Sequence, residues 1–149
     1  MRSVYLEPQH AQDPPPPYRT GEAGRVWYSA AGELETDVRV RLSANSTHAL
    51  IGHGVVDALN ALPLDGQLGE GRQVLLAPAV LEAAGRVFSE ADRNTYGDSW
   101  EFVAGVRDEP ERVEYRVRID NREYQVTLER LRYLVSMASR EGQAAWIRI

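Results

Sequence analysis

From Val113 to Ile119 every second residue is apolar, and the residues between, Glu114, Arg116 and Arg118, are charged. That period of two is the pattern of a strand buried on one face and wet on the other. It commits the last third of the chain to a sheet. Asp120-Asn121-Arg122 follows, and Asp and Asn tolerate turn backbones, so a return strand over Glu123-Tyr124-Gln125-Val126 is predicted. Thr127 then caps a helix whose apolar positions Leu128, Leu131, Leu134, Val135 and Ala138 recur at three and four residues, with Gly142 as its stop. Trp100, Phe102, Ala104 and Val106 alternate upstream, and Ala145, Ile147 and Ile149 alternate downstream. The unit expected is therefore β-β-β-α-β, ending inside the sheet.

The first two thirds carry the same kinds of signal. Ser3-Val4-Tyr5-Leu6 reads as an edge strand or an ordered arm, and Pro14-Pro15-Pro16-Pro17 imposes a polyproline II segment. Residues 1–24 are thus expected to form a proline-rich arm and residues 25–149 one domain. Pro15 to Tyr18 fits the PPxY pattern of WW-domain ligands, and Pro14 to Arg19 fits a PxxPxR ligand of SH3 domains. Four consecutive prolines satisfy both by composition, so a stiff spacer is the plainer role. Val26-Trp27-Tyr28 and the alternating Val38, Val40 and Leu42 predict a hairpin turning near Ala31-Gly32-Glu33. A helix capped by Ser46 or Thr47 is expected over 49–62, with Ile51, Val55, Leu59 and Leu62 on one face and Pro63 ending it. Leu64 to Gly71 reads as a flexible glycine-rich connector, since no Gly-Lys-Ser or Gly-Lys-Thr follows to make it a phosphate loop. Pro78 opens a further helix bearing Val80, Leu81, Ala84, Val87, Phe88 and Ala91. Strands and helices segregated in this order predict an α+β fold, with a mostly antiparallel sheet of about six strands packed by about three helices.

Composition narrows the functions available. At 149 residues the chain is long enough to bury a core without staples, and it has no cysteine for a disulfide, a thiolate metal site or a thiol nucleophile. No apolar run approaches the ~20 residues of a membrane span and the N-terminus lacks a signal-peptide core, so a cytoplasmic location and no membrane partner are expected. All 17 basic residues are arginine, against 22 acidic residues, for a net charge of −5. The absence of lysine reads as the mark of a GC-rich bacterial or phage genome. With no basic run and a low pI, no nucleic-acid partner is expected, although Arg116 and Arg118, with Arg39 and Arg41, are able to make a local arginine face.

Few residues offer chemistry. His48 and His53 are five apart, which on a helix turns them about 140° from each other and makes them poor joint metal ligands. His53 and Asp57 are four apart and suit an imidazole–carboxylate pair, to which Ser43 or Ser46 adds a triad on paper. No Gly-x-Ser-x-Gly elbow supports that triad, so a surface or capping histidine is the plainer role. No cofactor and no metal are implied. Trp146 is out of phase with Ala145, Ile147 and Ile149 and belongs on the opposite face of its strand. If no helix covers that face, Trp146 is an anchor of the kind enriched at binding hot spots. Two readings follow. The first is a non-enzymatic protein-interaction module, of the immunity-protein, inhibitor or chaperone type, with a protein partner and with strand-paired homo-oligomers possible. The alternative is a small enzyme or ligand-binding domain with a cleft near His48, His53 and Asp57 and the Gly66 to Gly71 loop as its lid.

Overall fold

A computed structural model describes residues 2–5, 22–30 and 36–149. The elements run β1 (Arg2–Tyr5), β2 (Glu22–Ala30), β3 (Thr36–Ser43), α1 (Ala44–Gly52), α2 (Val55–Asn60), β4 (Gln73–Leu76), α3 (Pro78–Arg93), β5 (Ser99–Arg107), β6 (Val113–Asp120), α4 (Asn121–Arg140) and β7 (Ala145–Arg148). The fold is α+β, with seven described strands in two sheets and four helices. One sheet is mixed, in the order β1-β6-β5, with β1 parallel to β6; the other is antiparallel throughout, in the order β3-β2-β7-β4. The proline tract and its two ligand patterns, His10, and the turn near Ala31-Gly32-Glu33 lie outside the described residues.

The alternating segments behave as their period demands. Val113, Tyr115, Val117 and Ile119 are buried, while their neighbours lie half-buried or exposed on the other face. The expected return strand over 123–126 instead lies in the first two turns of α4, which Asp120 and not Thr127 caps. Asp120 accepts hydrogen bonds from the Arg122 and Glu123 backbone N–H groups at 2.9 and 3.2 Å, which is the work of an N-cap. Glu123 in the first turn suits the positive end of the helix dipole. Tyr124 then begins the buried stripe that Leu128, Leu131, Leu134, Val135 and Ala138 continue. Asn121 is buried as well, its Nδ2 donating to the Tyr96 and Gly97 carbonyls at 2.7 and 3.1 Å and so tying the 94–99 loop to the helix start.

The helix expected over 49–62 starts earlier and breaks. Ser43, not Ser46 or Thr47, caps it by accepting from the Ser46 N–H at 3.1 Å. Gly54, at φ +78°, then interrupts the helix between α1 and α2. Strand β4, unmarked in the sequence reading, occupies Gln73–Leu76, one residue short of Pro78, and pairs with β7. The glycine-rich stretch is anchored: the Gly69 and Gly71 N–H groups both donate to the Ile149 carbonyl at 2.9 Å, and the Asn60 side chain bonds both backbone groups of Leu68.

Helix α4 touches strands of both sheets and lies along α3, and α1 also reaches both sheets. The apolar faces so joined form one core, from Val26, Leu42, Val74 and Ile147 of the antiparallel sheet to Val117 and Ile119 of the mixed one. No helix among the described residues is long and apolar enough to cross a membrane.

Candidate functional site

The residues that suggested a catalytic centre are dispersed. His53 is the C-cap residue of α1, and the left-handed Gly54 turns the chain before Asp57 enters the first turn of α2. Four residues of sequence are therefore not one helical turn. No described hydrogen bond or ion pair joins His53 to Asp57, which is exposed. The imidazole instead packs 3.8 Å from the Trp100 ring and stacks at 4.8 Å and 12° on Tyr124, with Phe102 4.5 Å beyond Trp100. His53 Nε2 and Tyr124 Oη are both buried with no hydrogen-bond partner. Burial pushes the His53 pKa below 6.5 and the Tyr124 pKa upward, so both rings are held neutral. His53 lines a cleft of about 230 Å³ between α2 and α3, with Ala58, Glu90 and Asn94. Neither His48 nor Asp57 lines it, nor does the Gly66 to Gly71 loop. Ser43 and Ser46 open onto a different cleft of about 430 Å³, beside Asp98, Arg118 and Asp120. Among the described residues no group of three His, Asp or Glu side chains has the spacing to hold a metal ion.

Trp146 lies on the face of β7 opposite the buried Ala145, Ile147 and Ile149. The register of the antiparallel sheet then sets a row across four strands, Arg39, Trp27, Trp146 and Leu75. Two residues along runs a parallel row, Arg41, Arg25, Arg148 and Gln73. None of these eight residues is buried, whereas Val26, Leu42, Val74, Leu76 and Ile147 on the reverse face are. The helices cover that reverse face, and the eight residues of this one are half-buried or exposed. The Arg25 guanidinium sits 4.6 Å above the Trp27 ring. The expected arginine face is thus divided. Arg116 and Arg118 lie on the mixed sheet, where Glu101 and Glu114 hold them at 2.9 to 3.4 Å. Arg39 and Arg41 lie on the antiparallel sheet, and none of the described ion pairs involves Arg39, Arg25 or Arg148.

The largest described cavity was not foreseen. It is a groove of about 640 Å³ along β3, where Val38 and Val40 face Val126, Glu129, Tyr133 and Leu134 of α4. Val126 and Tyr133 are 38% and 64% exposed, although both are large and apolar or aromatic. β3 is an edge strand of eight residues, and no described strand pairs with its outer side. The sequence pattern places Val126 on a return strand. Reading residues 121–140 as a single helix puts Val126 and Tyr133 off the buried stripe and was the signal available. No family model, curated protein or solved structure matches the chain.

Proposed function

We propose that the chain is a non-enzymatic protein-interaction module that receives an extended segment of a partner protein along the outer edge of β3. The observation that carries this reading is an eight-residue edge, on whose outer side no described strand pairs, beside a groove in which Val38, Val40, Val126, Tyr133 and Leu134 meet. An unpaired edge offers alternating N–H and C=O groups to any strand laid beside it, and proteins usually blunt such edges with proline, bulges or cover. Thr36–Ser43 contains no proline, and the one irregularity in its pairing lies in β2, between Glu22 and Gly24. In strand addition the main-chain bonds supply affinity, and pockets for alternate side chains supply specificity. Val38, Val40, Val126 and Tyr133 provide such pockets on the helix side, and Trp27 and Trp146 flank the other face of the same sheet. The enzyme reading asks His48, His53 and Asp57 to converge, and only His53 reaches its cleft.

The test is affinity capture from a lysate of the encoding organism with the wild-type chain, Val126→Asp and Tyr133→Ala. Both positions are exposed, so circular dichroism should be unchanged. One protein retained by the wild type at near-equal stoichiometry and lost from Val126→Asp supports the reading. No retained protein, or retention indifferent to both substitutions, refutes it.

A further inference from the structure

We propose that the outer face of the β3-β2-β7-β4 sheet is a second binding surface, meeting the β3 groove at Arg39, and that it takes single-stranded nucleic acid. The argument begins with the arginines. Arg25 stands directly opposite Arg148 on β7 and Arg41 on β3, and like charges directly opposite one another destabilise a sheet. On the mixed sheet the chain pairs its outward arginines with Glu101 and Glu114. Here Arg25, Arg39 and Arg148 have no described carboxylate partner, while Arg41 already has an interaction of its own. The repulsion in this strip is relieved by an anionic ligand.

The tryptophans say which anion. Trp27 and Trp146 are register partners on the two central strands, one row along from Arg25 and Arg148. Both indoles are only partly buried, and no described aromatic ring stacks on either. Rows two residues apart are separated by roughly 7 Å. Arg148 beside Trp146, with the Arg25 guanidinium over Trp27, offers phosphate contacts next to an indole on which a base stacks, the combination single-strand binders use. The occupant is read by side chains alone, because the backbone groups of β2 and β7 are spent on strands to either side. An acidic peptide would use the arginines and leave the indoles idle; a duplex hides its base faces. The net charge of −5, which argued against nucleic acid in the sequence, is set by the whole chain. At physiological salt, charges more than about 8 Å away are largely screened, so the local strip decides.

The experiment is fluorescence anisotropy of a labelled oligothymidylate of about a dozen nucleotides titrated with the full chain, with intrinsic tryptophan emission followed in parallel. The proposal predicts saturable binding with quenched tryptophan emission, and affinity that falls at least several-fold between about 50 and 200 mM salt. It also predicts weaker binding to the matching duplex. Trp146→Ala should lower affinity about tenfold, and Arg148→Glu, at an exposed position, should weaken it at least as much while leaving the circular dichroism unchanged. Arg86→Glu, an exposed residue on α3, should have no effect. Absence of binding at the lower salt overturns the proposal, as does equal affinity for duplex or binding indifferent to both Trp146→Ala and Arg148→Glu. Binding of an oligoglutamate peptide in place of the oligonucleotide overturns it in favour of an acidic protein ligand.

Discussion

Replacing Gly24 with alanine tests how tightly β7 is held against β2, and hence whether Arg148 and Trp146 are set where the outer face needs them. A Cβ at Gly24 would lie 2.6 Å from the Arg148 carbonyl oxygen and 3.0 Å from Ile149 Cγ2. The nearer atom is backbone, in a strand bonded to β2 on one side and β4 on the other, and the next carbonyl is clamped by Gly69 and Gly71. Relief therefore requires moving β2 from β7. Overpacking of this kind costs about 1–3 kcal/mol, and one weakened ladder bond adds about 0.5–1.5 kcal/mol. The smaller entropy of the unfolded alanine chain returns about 0.4–1 kcal/mol. The net is a loss of about 2 kcal/mol, or roughly 4–8 °C in Tm for a chain of this size. Gly85 is the opposing control. It lies inside α3, and its Cβ would meet only Val135 Cγ2, at an ordinary 3.6 Å, so Gly85→Ala should gain about 0.5–1 kcal/mol. Urea and thermal unfolding of the pair should move in opposite directions. A Gly24→Ala protein as stable as the wild type would refute the close approach of β2 and β7.

Asn121→Ala should cost about 1–3 kcal/mol in urea unfolding, because it strands the Tyr96 and Gly97 carbonyls, and the loop at 94–99 should lose amide protection first. Deleting the last five residues removes the strand between β2 and β4 together with the buried Ile147 and Ile149, each worth about 1.5–3 kcal/mol of burial. Against a typical total of about 5–15 kcal/mol, no cooperative transition should survive. His53 titrates below 6.5 in the folded state because burial disfavours its charge, so the unfolded chain binds the proton more readily. This contribution to stability is whole above 6.5 and is lost as the pH falls through that value toward the folded pKa. His53→Phe should therefore gain on the wild type between about pH 7.5 and 5.5, measured by urea midpoints; a constant difference would place the imidazole in water.

What the sequence disclosed depended on whether a signal was local. The alternation at 113–119 and the spacing from Leu128 to Ala138 each record one buried face, and the structure keeps both; the alternation from Trp100 holds only to Ala104, because the register shifts between Val103 and Gly105 and leaves Val106 exposed. Asp120-Asn121 misled because the residues that make turns also cap helices; what decides between them is whether the positions after Asp120 join a stripe of period 3.6, and Tyr124 does. The break at Gly54 was hidden because glycine in a helix and glycine at a left-handed turn look alike in sequence, and it undid the spacing of His53 and Asp57. β4 was too short to show a period. Trp146 was legible by phase alone, since Ala145, Ile147 and Ile149 fix the inner face. Its neighbours were not, because Trp27, Arg25 and Arg39 come to it only through the pairing of strands more than a hundred residues apart.

Hydrogen exchange across residues 36–43, in the free chain and in the complex with its captured partner, addresses the interaction reading most directly. A partner strand laid on the outer edge should slow exchange at alternate β3 amides, those without a bond to β2, and should shelter the groove-facing turns of α4 near Val126 and Tyr133. Complex formation that leaves the β3 amides exchanging as in the free chain would contradict strand addition at this edge.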